Sequence, residues 1–144
     1  MSVTDAAIMA DMTMQAHDSA QVREQWIERV RRLVDEVAAW SEGQGWSVHR
    51  DVKTIQERPL GAYSVQTLRV RLPQGEVHVN PIARHVMGAE GRVDLEAWPS
   101  LNRVRLLPLG GNQWKIMTDS NVPLDTPWGS DVFVQLAKHL TAAA

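Results

Sequence analysis

The spacing of the apolar residues divides this chain into segments of different secondary structure. Between residues 19 and 45, apolar side chains recur every three or four positions, which places them on one face of a helix. This stripe consists of Val22, Trp26, Val30, Leu33, Val34, Val37 and Trp40. Asp18 or Ser19 is the expected N-cap, and Gly43 and Gly45 predict where the helix ends. After these glycines the spacing becomes two, which is typical of strands that bury one face.

Six segments follow this two-residue spacing and predict strands. They cover residues 46–57, 63–72, 76–86, 92–98, 103–109 and 113–118. Short turns that contain Gly or Pro join them, so consecutive strands are expected to pair antiparallel. A polar loop at 118–128 and a second amphipathic helix from Gly129 to Leu140 complete the chain, with Ser130 as the expected N-cap.

Both helices have an apolar face, and the strands offer one apolar sheet face to cover it. We therefore predict an α+β fold with a long N-terminal helix, an antiparallel meander sheet of five to six strands and a C-terminal helix. Both helices are expected to pack on one sheet face. Residues 1–18 are small and polar and predict a disordered tail, whereas residues 19–144 predict a single domain.

Turn positions and charge pairs set the expected register of the strands. The turn after Leu72 predicts three pairs: Leu68 with Val79, Val70 with Val77, and Arg71 with Glu76. A four-residue loop, Pro99 to Asn102, predicts four more: Leu95 with Leu106, Glu96 with Arg105, Ala97 with Val104, and Trp98 with Arg103. The sheet face away from the helices then carries Arg69, Arg71, Glu76, His78, Asn80, Asp94, Glu96, Arg103 and Arg105.

Composition argues against several classes of function. The 144 residues include 15 Lys and Arg against 17 Asp and Glu, a net charge of -2, so nucleic-acid binding is not expected. Cysteine is absent, which excludes disulfides, thiolate nucleophiles and thiolate-bound zinc. No apolar run approaches the roughly 20 residues of a membrane span, and residues 1–20 do not resemble a signal peptide. We therefore expect a cytoplasmic protein of bacterial type that does not act in a membrane.

One pattern keeps an enzymatic function open. Asp94 and Glu96 lie two apart on one strand face, and a turn at 87–92 would bring His85 opposite Asp94. Such oxygen and nitrogen ligands suit a divalent metal in a hydrolase or nuclease-like enzyme. A nuclease of the restriction-endonuclease-like type carries a lysine soon after such an acidic pair, but here Trp98 stands two residues after Glu96. Phosphate-binding and dinucleotide-binding glycine motifs and a nucleophile elbow are also missing, so no cofactor is expected.

The remaining pattern favours protein binding. Trp and Arg are the residues that most often anchor protein interfaces, and the polar sheet face contains both. The interface candidates are Trp98, Arg103, Arg105, Arg69, Arg71 and Glu96. We therefore predict a non-catalytic protein-binding module: an adaptor, an immunity- or antitoxin-like partner, or a homodimer subunit, whose partner is another protein or a second copy. A single-stranded nucleic-acid binder that stacks a base on Trp98 is the lesser alternative.

Overall fold

A computed structural model describes the backbone of residues 3–142 and the side chains of residues 18–142. Two helices flank a six-stranded sheet in the chain, α1 (Val3–Gly43) at the start and α2 (Ser130–Thr141) at the end. The strands are β1 (Ser47–Glu57), β2 (Gly61–Leu72), β3 (Gly75–Ala83), β4 (Arg92–Trp98), β5 (Arg103–Pro108) and β6 (Trp114–Thr118). They pair antiparallel in the order β1-β2-β3-β4-β5-β6. The predicted α+β meander is confirmed.

The helices and the sheet share one apolar core. α1 packs mainly over β2, and α2 packs over β3 and β4. Trp26 of α1 is 2% exposed and lies 6.3 Å from the ring of Trp114, centroid to centroid. At the other end of the core, Trp128 lies 5.7 Å from Trp40 and 5.9 Å from Phe133. Aromatic pairs at these distances fix α2 and the loop before it against α1.

The beginning of α1 differs from the expected position. Its backbone is helical from Val3, through most of the segment predicted as a disordered tail, whereas the sequence pattern indicated a start at Asp18 or Ser19. The side chains of residues 1–17 lie outside the described residues. At the second helix, Gly129 is the N-cap and its neighbour Ser130 is the first helical residue, so the predicted Ser130 cap is wrong.

The strand register agrees with the predicted one between β2 and β3 and differs between β4 and β5. All three pairs predicted between β2 and β3 are present. Between β4 and β5 the predicted register is wrong by two residues, because Glu96 lies opposite Arg103 and Asp94 lies opposite Arg105. The connecting loop closes with an Ala97 N–H to Asn102 C=O bond of 2.8 Å. A shift of two keeps every side chain on its predicted face.

Along β2 the buried positions change their phase. Tyr63 and Val65 are buried at odd positions, whereas Leu68, Val70 and Leu72 are buried at even ones. Gln66 and Thr67 between them are both half-buried. A single alternation of buried and exposed residues therefore does not hold along the whole of β2. The even-numbered pattern applies to the second half, which is the half that pairs with β3.

Candidate functional site

The sheet face opposite the helices carries the polar residues predicted for it. We call it the polar face. Its β4–β5 half is occupied by ion pairs with the loop that follows β6, whereas its β1–β3 half has few internal partners. The polar side chains of the first half are therefore largely engaged within the chain, whereas those of the second half are freer to contact a partner.

Asp94 is the centre of the first half. It is 1% exposed although it lies on the polar face. Arg92 donates to both of its carboxylate oxygens, from Nε at 2.7 Å and from Nη2 at 2.8 Å. Arg103 lies 3.8 Å away on its other side. The bonds to Asp94 raise the pKa of Arg92. Both oxygens of Asp94 are therefore committed to a bidentate pair within the chain.

The loop after β6 completes this ion-pair network. Arg103 Nη2 donates to Asp119 Oδ1 at 2.9 Å, and Arg105 Nη1 donates to Asn121 Oδ1 at 2.7 Å. The bond from Arg103 holds the pKa of Asp119 below its ordinary value. Sequence reasoning named both arginines as interface candidates but missed Asp119 and Asn121, because nothing local in the sequence shows how a loop folds back.

A chain of hydrogen bonds connects the two halves through side chains of β1, β3 and β4. Lys53 Nζ donates to Asn80 Oδ1 at 2.8 Å and to the carbonyl of Pro81 at 2.6 Å. Asn80 Nδ2 donates to Glu96 Oε1 at 2.9 Å. Burial lowers the pKa of Lys53, and the nearby carboxylates of Glu96 and Asp94 oppose that shift. Asn80 thus holds the side chain of Glu96, which was an interface candidate. Lys53 also belongs to this site, although the sequence analysis did not name it.

The second half, here called the open half, consists of His49, Arg69, Arg71, Glu76 and His78 of β1–β3 together with Trp98, which lies opposite Glu76 at the end of β4. Glu76 accepts from His78 Nε2 at 3.0 Å and from Arg71 Nη2 at 3.1 Å, and these bonds lower its pKa. Trp98 is 46% exposed, with its ring 6.0 Å from that of His78. Among the described residues, no carboxylate lies within 4.0 Å of the exposed Arg69.

Arg69 lies where two shallow depressions of the open half meet. One depression, of about 380 Å³, extends toward Lys53, His78 and Asn80. The other, of about 200 Å³, extends toward His49, Arg71 and Glu76. Together they form a groove across β2, which we call the Arg69 groove. Arg69 lines both depressions and has no carboxylate within 4.0 Å among residues 18–142. The rest of the lining is mixed, with apolar residues such as Leu68 and Val79 beside the carboxylates of Asp51 and Glu96.

The candidate metal ligands do not come together. The ring of His85 lies against Glu57, with Nδ1 3.3 Å from Oε1, whereas Asp94 bonds Arg92. Glu57 also accepts the backbone N–H groups of Arg84 and His85, both at 2.8 Å. Within the part of the chain whose side chains are described, no three acidic or histidine residues are placed to hold a metal ion. The β3–β4 loop uses His85 to fasten itself to the end of β1.

Glu57 is a partly buried carboxylate whose contacts are all within the chain. Burial raises the pKa of Glu57, but the bonds from Arg84, Tyr63 and His85 outweigh it and the net shift is downward. The hydroxyl of Tyr63 donates to Glu57, and burial together with that bond raises the pKa of Tyr63. Both groups therefore keep their ordinary charge state near neutral pH, with Glu57 ionised and Tyr63 neutral.

Comparison with known proteins adds nothing to this geometry. No protein-family model, no curated protein and no solved structure matches the chain. Among the helices of the described residues, none has the length and apolar character needed to cross a membrane. Function is therefore inferred from the polar face and its contacts.

Proposed function

We propose that this chain is a non-catalytic protein-binding module, an adaptor or an immunity- or antitoxin-like partner, whose open half binds an acidic segment of another protein. The observation that carries the proposal is the position of Arg69. Its guanidinium lies at the middle of an open groove, and none of the described carboxylates is close enough to pair with it. An arginine in that setting favours a carboxylate from outside, which it can bind through two parallel hydrogen bonds.

The residues around Arg69 support an acidic partner. Arg71 has a side chain that is 74% exposed and shares its only described anion, Glu76, with His78. Lys53, Arg69 and Arg71 line the groove together with Asp51, Glu76 and Glu96, so its charges are balanced, and Arg69 is a cation that no described carboxylate reaches. Complementary charge of this kind steers a partner to one face and fixes its orientation.

Trp98 supplies the apolar contact of the proposed surface. Its ring is nearly half exposed at the end of β4 and rests beside His78, so its position is set before a partner arrives. Preorganised aromatic side chains lose little entropy on binding and often dominate an interface. Arg103, Arg105 and Glu96, which are engaged within the chain, hold the shape of the surface beside it.

A displayed library of random peptides tests the proposal without knowledge of the natural partner. We expect selection on the wild-type chain to enrich peptides with Asp and Glu next to an apolar residue. Arg69→Glu and Trp98→Ala should each lower the affinity of a selected peptide at least ten-fold, measured by calorimetry. Arg32→Glu is the matched control, because Arg32 is equally exposed but lies on α1, and affinity should be unchanged.

Three outcomes would count against the proposal. Enriched peptides without acidic residues, or affinities that ignore Arg69→Glu, would exclude an acidic partner at this groove. Tighter binding of a single-stranded oligonucleotide, with affinity falling steeply as salt rises, would favour the nucleic-acid alternative. A divalent ion retained by the chain in native mass spectrometry, and lost in Asp94→Asn, would favour the metal-dependent hydrolase.

A further inference from the structure

The two edges of the sheet are treated differently by the chain. At the β6 edge, the following loop covers the strand: Leu124 N–H bonds the carbonyl of Ile116, and Thr118 N–H bonds the carbonyl of Val122, both at 2.9 Å. At the other edge, β1 runs for 11 residues, and no backbone hydrogen bond from residues 3–142 reaches its outer side. A long uncovered edge strand is a template for another strand.

The outward backbone groups of β1 can be assigned from one contact. Val52 N–H donates to Oδ1 of the adjacent Asp51 at 2.8 Å in an exposed bond, from which we infer that it does not take part in the ladder with β2 and points outward. Outward and inward groups alternate along an antiparallel strand. The N–H and C=O groups that point outward therefore belong to Val48, Arg50, Val52, Thr54 and Gln56. At the middle of this row Val52 has 61% of its surface exposed.

The sequence of β1 is complementary to itself about Val52. Antiparallel pairing of two copies with a two-fold axis at this residue places Val52 against Val52, and Asp51 of each copy opposite Lys53 of the other. Moving the axis by one residue places two Asp51 or two Lys53 side chains opposite each other, and like charges in that position are destabilising. The charges of β1 therefore select one register.

The Lys53 side chain extends over β2 to β3, so its ammonium must turn outward to meet Asp51 of a second copy. The ammonium has three N–H donors, of which Asn80 Oδ1 and the Pro81 carbonyl use two. Neither acceptor is charged. A carboxylate from Asp51 of a second copy would give the ammonium an anionic partner on the polar face.

We infer that the outer edge of β1 binds a second copy of this chain, forming a two-fold dimer whose sheet continues through β1 of both copies. This inference concerns the sheet edge and does not depend on the acidic partner proposed above. Five outward residues in each copy supply the backbone donors and acceptors, with Val52 N–H released as Asp51 turns to Lys53 of the other copy, and Val52 supplies the apolar contact at the axis.

Analytical ultracentrifugation of the full chain tests the dimer. We expect twice the chain mass of 16.1 kDa at high micromolar concentration. Val52→Lys should yield monomer, because two lysines would meet at the axis. Val122→Lys is the matched control, since Val122 is similarly exposed, at 54%, but lies in the loop at the other edge. Circular dichroism of each variant checks that the fold is intact.

Cross-linking tests the register. The chain has no cysteine, so a single introduced thiol reports on one position. Paired residues at the axis have Cα atoms about 5.5 Å apart, within disulfide range, so Val52→Cys should oxidise to a covalent dimer. Thr54→Cys on the same exposed strand should cross-link at least ten-fold more slowly, because its two copies lie about 14 Å apart in this register.

Each contrary result has a definite meaning. A monomeric wild type up to high micromolar concentration would overturn the inference. A dimer that persists in Val52→Lys would show that another surface holds the copies together and would also overturn it. Equal cross-linking of Val52→Cys and Thr54→Cys would contradict the register and with it the proposed edge contact.

Discussion

Asp94 is a fully buried carboxylate on a face that is otherwise half-exposed. Its two hydrogen bonds to Arg92 and its closeness to Arg103 compensate for the loss of water. We predict that Asp94→Asn lowers the free energy of unfolding by about 1.5–3 kcal/mol, the cost of losing hydrogen bonds to a charged group. Urea denaturation followed by circular dichroism measures this change.

The exposed Asp125 offers a control for that measurement. Asp125→Asn changes the same functional group in the loop after β6 and should alter the unfolding free energy by less than about 0.5 kcal/mol. If Asp94→Asn proved as stable as the wild type, the Arg92 pair would not be stabilising. The carboxylate would then be better explained by a role in binding an ion.

Glu57 makes the stability of the fold sensitive to acid. Its pKa in the folded chain is depressed below the ordinary 4.5, so ionised Glu57 stabilises the fold above that pH. This stabilisation is lost as the pH falls through the depressed folded value. We predict that Glu57→Gln lowers stability at pH 7 and makes the decline below about pH 4.5 shallower than in the wild type.

Thermal unfolding at a series of pH values measures both effects. Glu42→Gln is the control, because Glu42 is exposed near the end of α1, and its acid profile should match that of the wild type. A Glu57→Gln profile parallel to the wild type at every pH would mean that other carboxylates produce the acid sensitivity.

At the scale of secondary-structure elements, the sequence predicts the elements themselves better than the contacts between them. Strand positions and most strand faces follow from two-residue alternation, with β2 as the exception, and the β2–β3 register follows from a tight turn. The β4–β5 register was wrong because the loop after Ala97 closes on Asn102 with Leu101 at a φ of 66°, a local geometry that charge pairing cannot reveal. Arg105 consequently meets Asn121 in place of Glu96.

The loop after β6 is an element whose order depends on a few polar contacts. Asp119 accepts from Arg103, and both side chains are largely exposed, so solvent screens the pair and it contributes little to global stability. We predict that Asp119→Ala leaves global unfolding nearly unchanged but increases hydrogen exchange at the amides of Thr118 and Leu124, which the loop holds against β6.

Hydrogen exchange monitored by mass spectrometry at neutral pH resolves this local opening. Asp125→Ala is the control, since Asp125 belongs to the same loop but makes none of the side-chain bonds described for Asp119. Unchanged exchange in Asp119→Ala would show that the backbone bonds of the loop, rather than its ion pairs, keep the β6 edge covered.

At the scale of the whole molecule, the net charge hides an uneven distribution. The chain is net negative, which argued against nucleic-acid binding from composition alone. Much of the negative charge lies on α1 or within the ion-pair network, whereas Arg69 and Arg71 project from the open half. Composition does not reveal this separation, because it arises from strand pairing and from a loop that folds back.

The two proposals together predict a bivalent surface. In the dimer paired through β1, the two Arg69 groups lie on the same face about 25 Å apart, from three strand spacings across and six residues along the strands. An acidic peptide selected on the open half, joined in tandem by a flexible linker of about ten residues, can reach both grooves. We predict at least a ten-fold gain in affinity over the single peptide for the wild type.

The Val52→Lys monomer separates this gain from stronger binding at one groove. The single peptide should bind it as tightly as it binds the wild type, because Val52 lies at the margin of the groove but its strand position places its side chain on the opposite sheet face from Arg69. The tandem peptide should then lose its advantage, apart from a statistical factor of about two. Calorimetry of both peptides against both chains measures all four affinities. An equal tandem gain in the monomeric variant would mean that avidity does not come from pairing of the β1 edges.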